Sequence, residues 1–222
     1  MIKVLTILVL MFVSIIGLGQ STNRLLAEFG PTYSQYIYIE NGRDVINSFN
    51  YGAYVSIFQQ INRFKVGLGI NPVKCNYSEK YFDVYPSPKS TIQRDFRSTI
   101  ILWDIQFVLG VKESKDWNVN FSTGIVVATV VNPKVEVTYL NGEKQDRSED
   151  IYSPGFGALN TGIAVRKRIN EKWSFVFNPA YYLRLTYATK SQDNQLDFPI
   201  FWSTVNFKLG VSYLIGKEKL SP

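Results

Sequence analysis

A chain of 222 residues, 45% hydrophobic and 15% aromatic, holds enough apolar material for one sizeable domain. The formal net charge is +6, but the basic residues are scattered among aromatic stretches rather than gathered in runs, which argues against a nucleic-acid partner. There is no histidine, so the usual general base and the commonest metal ligand are missing, and the lone Cys75 has no second cysteine for an intrachain disulfide.

Met1-Ile2-Lys3 is a short basic opening. An apolar run from Val4 to Ile16 follows, broken only by Thr6 and Ser14, and then the small residues of Gly17-Leu18-Gly19. This order of charge, apolar core and small residues reads as an export signal, with cleavage expected after Gly19 or after Gln20. The apolar core is too short for a comfortable membrane span, and no cysteine follows it to carry a lipid. No later run reaches the roughly 18 apolar residues of a transmembrane helix.

The rest of the chain alternates with a period of two, which predicts strands. The first runs from about Leu25 to Tyr38, with Leu25, Ala27, Phe29, Pro31 and Tyr33 on one face and Leu26, Glu28, Gly30, Thr32 and Ser34 on the other. Pro31 removes a ladder donor, so a bulge or register shift is expected there. The second spans about Ser48 to Gln60, and a tight turn at Ile61-Asn62-Arg63 leads into a third from Phe64 past Pro72 to Tyr77. A long loop to about Asp95 is expected next, holding Tyr77, Tyr81, Phe82 and Tyr85. The fourth strand, about Ser98 to Gly110, alternates Ile101, Trp103, Ile105, Phe107 and Leu109 against Asp104, Gln106 and Val108.

After the charged turn at Lys112 to Asp116, the fifth strand starts at Trp117, and Lys134 to Leu140 either extends it or forms a loop hairpin. The sixth, about Gly157 to Ile169, sets Leu159, Thr161, Ile163 and Val165 against Asn160, Gly162, Ala164 and Arg166. The seventh carries Trp173, Phe175, Phe177, Pro179, Tyr181 and Leu183 outward, with Val176, Asn178, Ala180, Tyr182 and Arg184 inward. The last alternates Val205, Phe207, Leu209, Val211 and Tyr213 with Asn206, Lys208, Gly210, Ser212 and Leu214.

Eight strands of this length suit a tilted crossing of a bilayer, which takes about 9–11 residues. Connections after the second, fourth and sixth strands are short and the others long, so an up-and-down barrel sorts turns to one rim and loops to the other. One face is nearly free of charge, and the other holds Glu28, Lys65, Asp104, Arg166, Arg184 and Lys208. A soluble barrel would reverse this. Girdle aromatics are expected at the turn rim, Phe58, Phe64, Phe107, Trp117, Trp173 and Tyr213, and at the loop rim, Tyr33, Phe49, Tyr51, Trp103, Tyr187 and Phe201. The expected fold is therefore all-β, an eight-stranded antiparallel up-and-down transmembrane barrel preceded by a signal peptide. Residues 1–19 are the signal, 20–216 the barrel and 217–222 a periplasmic tail.

The alternation of small and aromatic residues, and the ending Leu209-Gly210-Val211-Ser212-Tyr213-Leu214-Ile215-Gly216, resemble the outer-membrane beta-barrel domain family of Gram-negative bacteria, including its PorT-like members. The resemblance spans about Gln20 to Gly216, is one of pattern, and includes no catalytic motif. It implies an outer-membrane location and a last strand read by the barrel-assembly machinery. That strand ends in Leu214-Ile215-Gly216 and a tail rather than in a terminal aromatic.

Two sets of residues are candidates for function. The six inward charges either line an ion path or fill the lumen as an ion-pair network. An eight-stranded barrel is just wide enough to be filled by its side chains, which favours the network. Glu28 and Lys208, on first and last strands that must adjoin, are expected to pair. Tyr77, Tyr81, Phe82 and Tyr85 offer a surface for a protein or glycan partner, or extend the outer aromatic girdle. No nucleophile has a histidine base, and no cofactor is implied. The reading is a non-enzymatic outer-membrane barrel, in contact with membrane lipid and acting structurally, in adhesion or in assembly through its loops. A small channel or transport protein is the first alternative, and a secreted lipocalin-like ligand binder the second.

Overall fold

The computed structural model describes residues 24–37, 43–46, 50–61, 63–81, 90–148, 151–152, 156–185, 196–197 and 203–215. The expected signal segment, the C-terminal tail, and Phe82 and Tyr85 lie outside them. Twelve strands are found among the described residues: β1 (Arg24–Ile37), β2 (Arg43–Ile46), β3 (Asn50–Ile61), β4 (Phe64–Tyr81), β5 (Thr91–Glu113), β6 (Trp117–Tyr139), β7 (Lys144–Asp146), β8 (Ile151–Tyr152), β9 (Phe156–Arg168), β10 (Trp173–Arg184), β11 (Leu196–Asp197) and β12 (Ser203–Ile215).

Eight of these close into a ring. β1, β3, β4, β5, β6, β9, β10 and β12 each pair antiparallel with the next, and β12 returns to β1 with Glu28 opposite Ser212 and Tyr33 opposite Phe207. Closure leaves no free strand edge in the ring, as a hydrocarbon surround demands. Outside the ring, β2 pairs with β4 and β7 with β6, while β8 and β11 form a short parallel pair.

Two features differ from the sequence expectation, and at a third place the structure takes one of the two alternatives the sequence leaves open, extension of the strand after Pro133. Pro31 causes no register shift: the β1–β12 pairing passes from Phe29 opposite Val211 to Thr32 opposite Lys208 with the offset unchanged. The strands instead come close where Gly30 meets Gly210, and a Cβ on Gly30 would lie 2.1 Å from the Leu209 carbonyl oxygen. The predicted loop from Tyr77 to Asp95 is much shorter, because β4 continues to Tyr81 and β5 begins at Thr91, with Ser78 opposite Asp95 and Lys80 opposite Gln93. β6 runs unbroken to Tyr139, and its bulge places Asn132 and Pro133 against Ser98, with Asn132 at φ +50°. Asparagine tolerates that left-handed conformation, and the extra residue lets the strand bend without ending.

The wall is apolar outside and polar inside through its turn-side and central part. Phe175 is 56% exposed and Leu209 58%, whereas Lys208 and Asp104 are almost fully enclosed. Phe64, Phe107, Phe121, Ile125, Ile163 and Phe177 complete the outer belt. At the turn rim Trp173 packs on Tyr213 at 4.6 Å between ring centroids, and Phe29 meets Trp173 edge-on. Phe58 is a correction: it is not a girdle residue but lies in the lumen, its ring filling the space that Gly67 leaves open on β4.

Toward the loop end this polarity inverts. The inward face of β4, β5 and β6 becomes apolar and buries Cys75, Phe96, Ile100, Ala128, Val130, Val135 and Val137 as one cluster. The outward face of the same segments becomes polar, exposing Lys74, Arg97, Lys134 and Glu136. On β5 the outward series Leu109, Phe107, Ile105, Trp103 and Ile101 gives way to Thr99 and Arg97. The apolar part thus covers nine positions, the length of one bilayer crossing. Beyond it the sheet is organised like that of a soluble protein, greasy inside and charged outside.

Candidate functional site

The charged residues of the lumen come together from opposite walls. Lys208 on β12 and Asp104 on β5 stand four strands apart in either direction around the ring, yet Lys208 Nζ donates to Asp104 Oδ2 at 2.7 Å. Asp104 is the centre of this layer. Its Oδ2 also accepts from Gln106 Nε2 at 3.2 Å and from the Tyr182 hydroxyl at 3.4 Å, and its Oδ1 accepts from Asn160 Nδ2 at 3.4 Å. The Lys208 ammonium lies 5.5 Å from the Tyr54 ring centroid, a cation–π contact in a desolvated place.

A second pair lies nearer the turn rim. Arg166 on β9 donates from Nε and Nη2 to Glu28 Oε1 on β1, both at 2.7 Å. Glu28 and Lys208 therefore do not pair with each other, as their adjacent strands had suggested. Adjacent strands set side chains of one face side by side along the wall, whereas long side chains in a narrow tube meet across it. On the loop side of the Lys208 layer, Thr32 Oγ1 donates to Asn206 Oδ1 and Asn206 Nδ2 to Ser34 Oγ, each at 2.8 Å.

Each member of these pairs is almost wholly removed from water, so each depends on the partner that meets it. A buried ion pair adds little net stability over apolar filling, but removing one partner strands the other at a cost of about 3–5 kcal/mol. A slip in register would separate these charges in a place with no water to fall back on.

Above this network apolar side chains gather in the lumen. Val126, Ala158, Ala180 and Tyr182 form a cluster that shares Leu102 and Phe156 with the loop-end core. A cavity of about 30 Å³ lies there, between Val73, Ile100 and Tyr182, with room for about two water molecules. Below the network a larger chamber of about 210 Å³ opens at the turn rim.

Five of the six charges predicted to face inward are thus buried in the lumen: Glu28, Lys65, Asp104, Arg166 and Lys208. Arg184 stands in β10 opposite Ala158, and its side chain lies outside the described residues. Of the four aromatics suggested as a loop surface, Tyr77 and Tyr81 are strand residues of β4 opposite Phe96 and Arg43, with side chains outside the described set, and Phe82 and Tyr85 are not described. Sequence reasoning passed over Asn160, Gln106 and Tyr182 as partners of Asp104. Their signal was present, since all three sit on the inward-reading face of their strands.

No protein-family model matches the chain, and no curated protein matches it either. Solved structures do match in fold. Neisserial surface protein A aligns over 88% of this chain and 98% of its own at 11% identity, with a TM-score of 0.50. The outer membrane protein OprG from Pseudomonas aeruginosa aligns over 90% and 99% at 10% identity, with a TM-score of 0.48. The attachment invasion locus protein Ail of Yersinia pestis aligns over 87% and 97% at 10% identity, with a TM-score of 0.42. The chain has the fold of the eight-stranded outer-membrane β-barrels.

Proposed function

We propose that this protein is a non-enzymatic outer-membrane barrel whose lumen is closed and whose work is done by the sheet it raises beyond the membrane. The observation that carries this reading is the inversion of polarity along β4, β5 and β6. β5 and β6 each have 23 residues, about 75 Å of strand, or about 55 Å along the axis at the usual tilt. The apolar band of such barrels is about 25 Å tall, so a large part of these strands stands in water. There it is broadened by β2 and β7 and supported by its own apolar cluster around Phe96 and Val135. A rigid, charged sheet held above a membrane suits adhesion or assembly with a protein or glycan partner. The PorT-like resemblance of the last strand is compatible with that role.

Binding of cells or matrix by vesicles carrying the intact protein, compared with a variant in which Arg97, Lys134 and Glu136 are replaced by serine, tests the reading. Retained binding by the variant would refute it. Single-molecule conductance in planar bilayers tests the closed lumen. Stable ion-conducting steps would favour the channel alternative.

A further inference from the structure

We infer that the chamber at the turn rim is a binding site for a small oxyanion, a phosphate or carboxylate group reaching the barrel from the side of the short turns. The chamber holds about 210 Å³, and its floor is made by buried side chains of three different strands: Lys65 on β4, Arg166 on β9 and Ser212 on β12. Two of the three carry a buried polar atom without a hydrogen-bond partner, and the third has no ion-pair partner among the described residues. Lys65 is 5% exposed and has no ion-pair partner among the described residues. Arg166 directs Nε and Nη2 to one oxygen of Glu28, leaving Nη1 buried and unpartnered. The Ser212 hydroxyl is likewise buried without a partner.

The unmet capacity has one sign. An ammonium and a guanidinium nitrogen only donate, and a hydroxyl can donate, so the missing group is an acceptor. Charge points the same way. The described acids and bases of the lumen are Glu28 and Asp104 against Lys65, Arg166 and Lys208, and pairing Arg166 with Glu28 and Lys208 with Asp104 leaves Lys65 as the base without an acidic partner. Around the whole chamber six cationic residues line the wall against three acids, Glu113, Asp116 and Glu171. Buried donors left unmet are costly, the more so when charged, so an oxyanion that meets them binds against a poor alternative. The loop-side cavity shows no such imbalance: it is small and mostly apolar.

The test is calorimetric titration of the full chain, refolded in a nonionic phosphate-free detergent, with inorganic phosphate in one arm and acetate in the other. Saturable one-to-one binding of either anion supports the site, and the arm that binds identifies the chemistry. Lys65→Met should weaken that binding about tenfold or more, and Ser212→Ala by a smaller factor, while Lys144→Gln at the loop end leaves it unchanged. Where Lys65→Met does not refold, amide shifts in the wild-type protein decide: phosphate or acetate should move Ser212 and Arg166 and leave Gln145 in place. No heat or shift with either anion up to about 10 mM, or equal affinity in Lys65→Met, overturns the proposal.

Discussion

Replacing Lys208 with methionine tests the lumen network at its centre. The substitution keeps the length of the side chain and removes the charge that meets Asp104 Oδ2 at 2.7 Å. Asp104 is 1% exposed, so its carboxylate cannot recover the lost contact from solvent. It keeps neutral donors, Gln106 at 3.2 Å and Tyr182 and Asn160 at 3.4 Å, and these are long bonds. A buried charge deprived of its partner costs about 3–5 kcal/mol. At roughly 2–4 °C per kcal/mol for a chain of this size, the midpoint should fall by about 6–20 °C. The assay is heat-modifiable migration on gels, checked by the urea midpoint in detergent micelles. Adding Asp104→Asn to Lys208→Met removes the stranded charge and should restore part of the loss, whereas independent sites would lose stability additively. Bilayer conductance should stay at background in both variants. A Lys208→Met barrel that melts within about 2 °C of the wild type would refute the claim that this pair holds the lumen together.

Gly67→Ala puts a Cβ 2.2 Å from the Phe58 ring, so the ring must move within a packed lumen; a loss of about 1–3 kcal/mol in urea titration is expected, with partial recovery on adding Phe58→Leu. Cys75 is fully enclosed, so a maleimide should label it only after the barrel is unfolded by heat, and fast labelling of the folded protein would contradict the loop-end cluster. Asp146 accepts from the Ser148 hydroxyl and backbone N–H, which hold its carboxyl below the ordinary carboxylate range. A depressed carboxyl contributes its contact above the ordinary pKa and loses it as pH falls through the lower folded value. NMR titration should therefore show the Ser148 amide shift persisting to lower pH than free aspartate titrates.

Much of the barrel was legible in the chain because lipid and lumen impose opposite demands on alternate residues. Phe175, Phe177 and Leu209 had to face hydrocarbon, and Glu28, Asp104 and Lys208 had to avoid it, so the period of two assigned both faces at once. The partners within the lumen were not legible. Which cation meets Asp104 depends on the ring's closure and stagger, and no spacing along the chain encodes a contact between strands four positions apart around the ring. The upper part of β4 and β5 was missed for a different reason. Residues such as Lys80, Gln93 and Arg94 carry no apolar alternation, and their strand character comes from pairing with each other and with β2 and β6. Nearness to the turn suggests a girdle place for Phe58, whereas its parity with Tyr54 and Ser56 puts it inside. Only Gly67 on the neighbouring strand explains how a ring fits there.

The central claim is that the greasy side of this cylinder faces acyl chains. Spin labels placed one at a time from Phe175 to Tyr182, in protein reconstituted into vesicles, measure it directly. Collision with dissolved oxygen should rise at 175, 177, 179 and 181 and fall at 176, 178, 180 and 182, with little access for a water-soluble nickel reagent at either set. Oxygen access at the even positions, or nickel access at Phe175 and Phe177, would contradict the account.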